Sequence, residues 1–337
     1  MKKFSYALLI GLILLFLAAC GSDEDNNTDD NASTDTNTEE TTETETETEG
    51  EEAASGTVTV EHELDTTEVP VNPEKVVVFD FGIVDTLDKL GVESIAGVAK
   101  GGTIPSYLDK YESDDYENIG SLKEPDFEKI SEINPDLIII SGRQASLYDQ
   151  LVEIAPTIHL GVDTTDYMNS FKNNMETVGQ IFDKEAEVEE ELTAIDDVIA
   201  DLNERAEASD EKALIILAND DKISAYGTSS RFGIIHDVFG VKPVDENIDA
   251  STHGMNVSFE YVMEQNPDIL YVIDRGAVVG GAESESAKQL VENELVENTN
   301  AYKNDKIHYL NPEFWYLSGG GLVSVSEMVK QIDETIE

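Results

Sequence analysis

The sequence predicts an α/β protein of two Rossmann-like lobes joined by a single long helix, with a ligand cleft between them. Three observations carry that expectation. Short apolar, β-branched runs alternate with amphipathic stretches from residue 57 onward, the pattern of parallel strands covered by helices. One unit of the pattern occurs twice, as EPDFEKISEINPDLIIISGR over residues 124–143 and VSFEYVMEQNPDILYVIDR over residues 257–275. The longest helical stretch without glycine or proline, residues 184–209, lies between the two copies.

Residues 1–19 join two lysines to an apolar run that ends in small residues. This reads as a secretory signal peptide and not as a membrane span of the mature chain. Leu17-Ala18-Ala19 before Cys20 resembles a bacterial lipobox, in which the cysteine becomes the lipidated first residue. The alternative is a plain cleaved signal with an incidental cysteine. Cys20 is the only cysteine, which leaves the folded part without an intrachain disulfide or a thiolate metal cluster. Residues 20–56 are polar and acidic, with Thr-Glu alternation from Thr42 to Glu49. Such a segment buries too little apolar surface to offset its ordering entropy, so it reads as a disordered tether spanning roughly 30–36 Å.

The first lobe is expected over residues 57–183. It opens on strand-like alternation at 57–64 (TVTVEHEL) and continues with a strand at Val76–Phe79, a helix near Val84–Leu90 and a strand at Ile95–Val98. After the first repeat copy come a helical Ala145–Ile154, a strand Thr157–Leu160 and a helix Met168–Phe182. The connecting helix, 184–209, keeps Val188, Leu192, Ile195, Ile199, Leu202 and Ala206 on one stripe. The alternative is a surface helix of one larger domain. The second lobe, 210–337, restarts with strands Ala213–Ala218 and Ile223–Tyr226 around a turn at Asn219–Lys222. A loop Gly227–Ser230 leads Arg231 into a helix. The second copy follows, then a polar, partly helical stretch 280–304, a strand Ile307–Leu310, an aromatic-glycine loop 314–321 and a final helix Leu322–Ile336.

Each repeat copy describes a short helix, an Asn-Pro-Asp turn, a buried strand and an arginine. Aligned without a gap, the copies share Phe127/Phe259, Glu128/Glu260, Asn134/Asn266, Pro135/Pro267, Asp136/Asp268 and Arg143/Arg275. Proline stops the helix because it lacks the N–H and restricts the residue before it. The continuous apolar runs fit parallel strands covered on both faces. Open sheets of this kind bind ligands beyond the carboxyl ends of their strands, which is where both arginines fall.

Arginine usage points the same way. The chain has four: Arg143, Arg205, Arg231 and Arg275. Arg205 lies in the charged helical stretch and reads as an ordinary solvated position. The other three follow strand-like runs or a Gly/Ser loop. Guanidinium presents a planar fork of donors matched to paired oxygens, so these three are candidates for binding an anion. Pairing with local carboxylates is the competing reading, and the chain carries 72 acidic residues. A net charge of −51 excludes a nucleic-acid role and opposes binding to anionic lipid.

No G-x-S-x-G, H-E-x-x-H, C-x-x-C or phosphate loop occurs, and the five histidines are scattered. Nothing in the sequence therefore points to an enzyme, and no cofactor is expected. A direct zinc or manganese binder would need several converging ligands and would not use three arginines.

The lipobox, the paired repeat units and the connecting helix resemble the helical-backbone class of substrate-binding proteins that serve ABC importers. The match extends to its ferric-siderophore branch and there to the petrobactin-type lipoproteins. It rests on VVVFDFG (76–82), GSLKEPDFEKI (120–130), NPDLIIISGRQ (134–144), IHDVFGV (235–241), STHG (251–254), VIDRG (272–276) and WYLSGGGL (315–322). The resemblance implies a monomer held to the extracytoplasmic face of the cell membrane by a lipid anchor. It would capture a ferric siderophore of the catecholate, petrobactin-like kind and pass it to an ABC permease dimer with its ATPase. Arg143, Arg231 and Arg275 would form the basic pocket, and His253 and Tyr316 would be candidate ligands of the siderophore's iron. Glu128 and Glu260 would dock the permease, with Glu124 as a substitute in the first lobe. Trp315, Tyr316 and Phe314 are expected to stack on catechol rings or arginines, although a core plug is an equal reading of such a cluster. A helix-cap or loop hydrogen-bonder is the commoner reading of a lone histidine such as His253. Haem or corrinoid binding is the runner-up, because those ligands also offer carboxylates or a phosphate to arginine. An adhesive surface lipoprotein would leave the arginines unexplained.

Overall fold

Burial on both faces of the central strands sets the architecture. The structure, a computed structural model, describes residues 56–219, 221–279 and 287–336. The expected signal peptide, Cys20 and the tether up to residue 55 lie outside the described residues. The first sheet holds β3 (Val76–Val78), β4 (Ile95–Val98), β5 (Glu117–Asn118), β6 (Leu137–Ile140) and β7 (Thr157–His159) in the parallel order β5-β4-β3-β6-β7. Every residue of β6 is buried. Leu137 and Ile139 face one apolar cluster, and Ile138 and Ile140 face another. The alternation is that of a strand with no wet face.

Preceding this sheet is a two-stranded antiparallel hairpin, β1 (Thr57–His62) and β2 (Asp65–Pro70). The sequence reading had one strand here. β2 escaped it because DTTEVP buries only Val69. The hairpin attaches to β7 through the Thr67 hydroxyl, which donates to the Thr157 carbonyl at 3.1 Å.

The second sheet is mixed. It comprises β8 (Lys212–Asn219), β9 (Lys222–Tyr226), β10 (Lys242–Pro243), β11 (Met255–Val257), β12 (Ile269–Asp274) and β13 (Ile307–Leu310). The order is β11-β9-β8-β12-β13, with β10 pairing the start of β8. β8, β12 and β13 are mutually parallel, β9 runs antiparallel to β8, and β11 runs antiparallel to β9. β12 repeats the pattern of β6: Ile269, Tyr271 and Ile273 enter the first cluster, and Leu270 and Val272 enter a separate one. One face of each sheet therefore feeds a single continuous apolar cluster.

The connecting helix, Glu185–Ala208, buries Val188, Leu192, Ile195, Leu202 and Ala206 and leaves Ile199 partly covered. It packs against Tyr167–Phe182 and the C-terminal helix Leu322–Asp333. Arg205 is more than a solvated position. It pairs with Asp201 at 3.0 Å and with Asp333, and it donates to the carbonyls of Asp333 and Ile336. A cation thus meets the carboxyl end of the C-terminal helix, where the helix dipole favours it.

The C-terminal helix also returns to the first lobe, packing on Phe81–Lys89. The fully buried Asp85 carboxylate accepts the backbone N–H groups of Val323 (3.3 Å) and Ser324 (3.1 Å), and the Thr86 hydroxyl accepts that of Leu322 (3.0 Å). These three would otherwise be orphan donors of a helix start. The approach is close enough that a Cβ at Gly321 would lie 2.1 Å from both Asp85 Oδ1 and the Gly82 carbonyl. Tyr107 hydrogen-bonds Asp85 Oδ2 at 3.1 Å and Ser318 Oγ at 2.6 Å, and Ser106 hydrogen-bonds Glu313 at 2.7 Å. The seam between lobes is therefore polar as well as apolar.

Candidate ligand-binding site

The repeat unit folds the same way twice, and this delivers the arginines. The helices Phe127–Ile133 and Phe259–Gln265 end at Asn134 (φ 51°) and Asn266 (φ 47°). Asparagine tolerates that left-handed conformation better than most residues. After the proline, Asp136 N–H donates to the Lys75 carbonyl at 2.9 Å, while its carboxylate accepts the Lys75 N–H at 2.9 Å. Asp268 makes the same pair with Lys212, at 2.9 and 3.1 Å. Each aspartate clips its own strand to the start of the next, fixing Leu137 opposite Val76 and Ile269 opposite Ala213. β6 ends at Ile140, three residues before Arg143, and β12 ends at Asp274, immediately before Arg275.

Arg275 is fastened at three points. Its backbone N–H donates to the Ala218 carbonyl at 3.0 Å, its Nε to Tyr316 Oη at 2.8 Å, and its Nη1 to Asn219 Oδ1 at 2.5 Å. Arg231 follows a tight loop in which Ser229 has φ 55° and its N–H donates to Asp237 at 2.6 Å. Arg231 Nη2 donates to the Tyr316 carbonyl at 2.7 Å. The Tyr316 ring centroid lies 4.1 Å from the Arg231 guanidinium carbon and 5.6 Å from that of Arg275, within cation–π range of both.

A cavity of about 280 Å³ opens over these groups, lined among others by Asn219, Lys222, Arg231, His253, Arg275 and Tyr316. Its lining comes from the second lobe. His253 is exposed on the Ser251–Gly254 turn, with its ring bonded to nothing among the described residues. Arg143, from the first lobe, is half-buried and makes no hydrogen bond or ion pair among the described residues. It lies near enough to Arg231 to act on it: burial lowers the Arg231 pKa, and repulsion from Arg143 lowers it further. For Tyr316 burial acts to raise the phenol's pKa, but the hydrogen bond from Arg275 and the two guanidinium charges outweigh it. The net shift is downward, toward phenolate.

The carboxylate-pairing reading applies to Arg205 alone. Among the described residues no carboxylate forms an ion pair with Arg143, Arg231 or Arg275. Trp315 departs from the sequence expectation. It is 3 % exposed, stands edge-on to Phe232 at 6.5 Å and does not line the cavity. Residues 313–317 are helical, which sends the Trp315 ring into the core and its neighbour Tyr316 toward the cavity. Phe314 is half-buried and packs on Tyr107 at 4.9 Å.

Glu128 and Glu260 are exposed in the first turns of their equivalent helices. Each helix runs back to the start of the strand that follows it, so its first turn lies on the side of the strand's carboxyl end. The Glu260 carboxyl is held below the usual range by a hydrogen bond with Ser258. No three His, Cys, Asp or Glu side chains converge among the described residues.

Sequence reasoning missed Asn219 and Lys222 as cavity residues, having read both only as turn positions. It also missed Asp85 and Tyr107, whose partners lie more than 200 positions away.

The periplasmic binding protein family pattern matches residues 76–314. Over 339 aligned residues, covering the full length of both chains, the sequence is 49% identical to the petrobactin-binding protein YclQ of Bacillus subtilis. The crystal structure of YclQ superposes with a TM-score of 0.80 at 55% identity, covering 83% of this chain and 99% of that one. The ferric-anguibactin-binding protein FatB of Vibrio anguillarum is 33% identical over 82% of this chain and 86% of its own. The periplasmic catecholate-siderophore binding protein VctP of Vibrio cholerae superposes with a TM-score of 0.79 at 35% identity, over 82% of this chain and 99% of its own. The resemblance read from the sequence motifs is borne out, and so is the α/β fold. By the family pattern and by full-length similarity, the chain belongs to the periplasmic binding protein family.

Proposed function

We propose that the protein is a siderophore receptor that captures an anionic ferric complex and delivers it to an ABC importer. The ligand class we infer is catecholate and petrobactin-like. One observation carries the reading: among the described residues, Arg231 and Arg275 face one cavity with uncharged acceptors as partners, and Arg143 stands within electrostatic reach with none. A ferric catecholate complex is a compact trianion with aromatic faces, and three guanidiniums match its charge. Each charge-assisted contact contributes roughly 1.5–3 kcal/mol. The similarity to proteins named for petrobactin, anguibactin and catecholate siderophores supports the same ligand class.

In this reading the iron is cargo. Tyr316, with its lowered phenol pKa, and His253, whose imidazole is exposed at the cavity, are the groups offered to an open iron site. Glu128 and Glu260 dock the permease from equivalent places on the two lobes. Cys20 carries the lipid, and the tether holds the domain off the membrane's outer face. Among the described residues no helix is long and apolar enough to cross a membrane.

Titration with ferric petrobactin, a ferric hydroxamate and haemin, followed by intrinsic fluorescence, tests this. Trp315 lies behind Phe232, next in sequence to Arg231, close enough for a ligand's charge-transfer band to quench it. Saturable quenching by ferric petrobactin alone is expected. Quenching by haemin alone would replace the catecholate reading with haem binding.

A further inference from the structure

We propose that Asn219 is the positioning residue that readies Arg275 for its anion, and that its amide leaves the guanidinium's charge to the ligand. This rests on the reading of the cavity as an anion site and adds the residue that sets its charge selectivity.

Asn219 is the last residue of β8 and stands opposite Lys222, the first residue of β9. Its Oδ1 takes one N–H of Arg275 Nη1, and the carbonyl of the preceding Ala218 takes the Arg275 backbone N–H. The end of β8 thus holds both the main chain and the side chain of Arg275. Tyr316 Oη takes Nε. Guanidinium has five N–H donors, so three remain without a partner among the described residues, including both on Nη2. Among the described residues, the two side-chain acceptors of Arg275 are uncharged, and the only acceptor of Arg231 is a backbone carbonyl. Arg205, the structural arginine, is instead neutralised by Asp201 and Asp333. In a chain of 72 acidic residues, the side chain that takes the Arg275 Nη1 is an amide, and among the described residues no carboxylate pairs with this guanidinium. Aspartate is nearly isosteric with asparagine. It would accept the same hydrogen bond but cancel the charge, and it would set a carboxylate beside the incoming anion.

The experiment compares Asn219→Asp and Asn219→Ala with the wild type, using ferric petrobactin as the anionic probe and thermal melting to verify folding. Asn219→Asp is expected to weaken binding by on the order of 30-fold or more, at least about tenfold beyond Asn219→Ala. A second readout needs no ligand. The Arg275 charge lowers the Tyr316 phenol, so Asn219→Asp should move the Tyr316 ionisation midpoint upward, read by ultraviolet absorbance against a Tyr316→Phe reference. Equal losses in both variants, or an unmoved Tyr316 midpoint in Asn219→Asp, would overturn the proposal and leave Asn219 as packing. Should Asn219→Asp not fold, Asn219→Ala decides: an affinity equal to wild type overturns the positioning role, and a several-fold loss supports it. If the wild type ignores ferric petrobactin, the siderophore reading fails, while the phenol titration still decides whether Asn219 governs the Arg275 charge.

Discussion

Asp85 and Ser324, 239 positions apart, are joined by a hydrogen bond of 3.1 Å that caps the C-terminal helix with a carboxylate from the first lobe. The carboxylate is fully buried. Burial raises its pKa to about 7, against the opposing hydrogen bonds from Ser324, Tyr107 and Val323. A carboxyl raised on folding binds its proton more tightly in the native state. Its contribution to stability is therefore complete below the unfolded value of about 3.9 and is lost as pH rises through about 7. Each unit of separation corresponds to about 1.4 kcal/mol. The buried His159 and His236 and the half-buried His62 and His308 are lowered by desolvation, and their contribution fades in the opposite direction, as pH falls. The difference between wild type and Asp85→Asn isolates the carboxyl. Melting curves from pH 4 to 8 should show the wild type losing stability relative to Asp85→Asn as pH rises. Parallel profiles would contradict the raised pKa.

Gly321→Ala tests the same seam sterically. A methyl group placed 2.1 Å from Asp85 Oδ1 and the Gly82 carbonyl must push the C-terminal helix away from the first lobe. Overpacking of this kind costs about 1–3 kcal/mol or more. A lowered denaturation midpoint is expected, together with weaker ligand binding, because Tyr316 sits on the segment just before the helix. A wild-type midpoint would show that the helix start yields freely.

Arg231→Ala and Arg275→Ala should each weaken ferric petrobactin binding by about 10- to 150-fold, the equivalent of 1.5–3 kcal/mol, with melting curves close to wild type. Arg143→Ala should also weaken binding and, by removing a neighbouring charge, relieve the repulsion on Arg231. Calorimetric titration of the single and triple variants decides this. A folded triple variant with wild-type affinity would remove the arginines from the site.

Glu128→Ala combined with Glu260→Ala should abolish radioiron uptake by cells while leaving the Kd for ferric petrobactin unchanged. Both carboxylates are exposed and neither lines the cavity. A raised Kd would contradict a role confined to docking.

Tyr316→Phe keeps the Arg231 contact, which uses the backbone carbonyl, and removes the Oη that holds Arg275 Nε. A modest loss of affinity, several-fold, is expected from one hydrogen bond. A change in the visible charge-transfer band of the loaded protein would reveal the phenol as an iron ligand. An unaltered band would assign it to positioning the arginines.

Much of this protein is determined locally and was legible in the sequence. Proline after asparagine ends a helix wherever it falls, and a run such as Leu137–Ile140 has no polar face to give to water. Both repeat copies therefore fold as their residues dictate, and the arginines follow at the strand ends. The stripe from Val188 to Ala206 fixed the long helix for the same reason. The tertiary structure decided what depends on distant partners. Trp315 and Tyr316 are adjacent aromatics that sequence could not separate; the helical turn at 313–317 sends one to Phe232 and the other to the arginines. Asn219 and Asp85 carry no local signal of their roles, because each is defined by a group distant in sequence, 56 positions away for Asn219 and 239 for Asp85. Arg205 shows the converse, a charge that reads as solvated until the last helix places Asp333 beside it. Backbone preference acts between neighbours in sequence, whereas the charge environment of a side chain is set by neighbours in space.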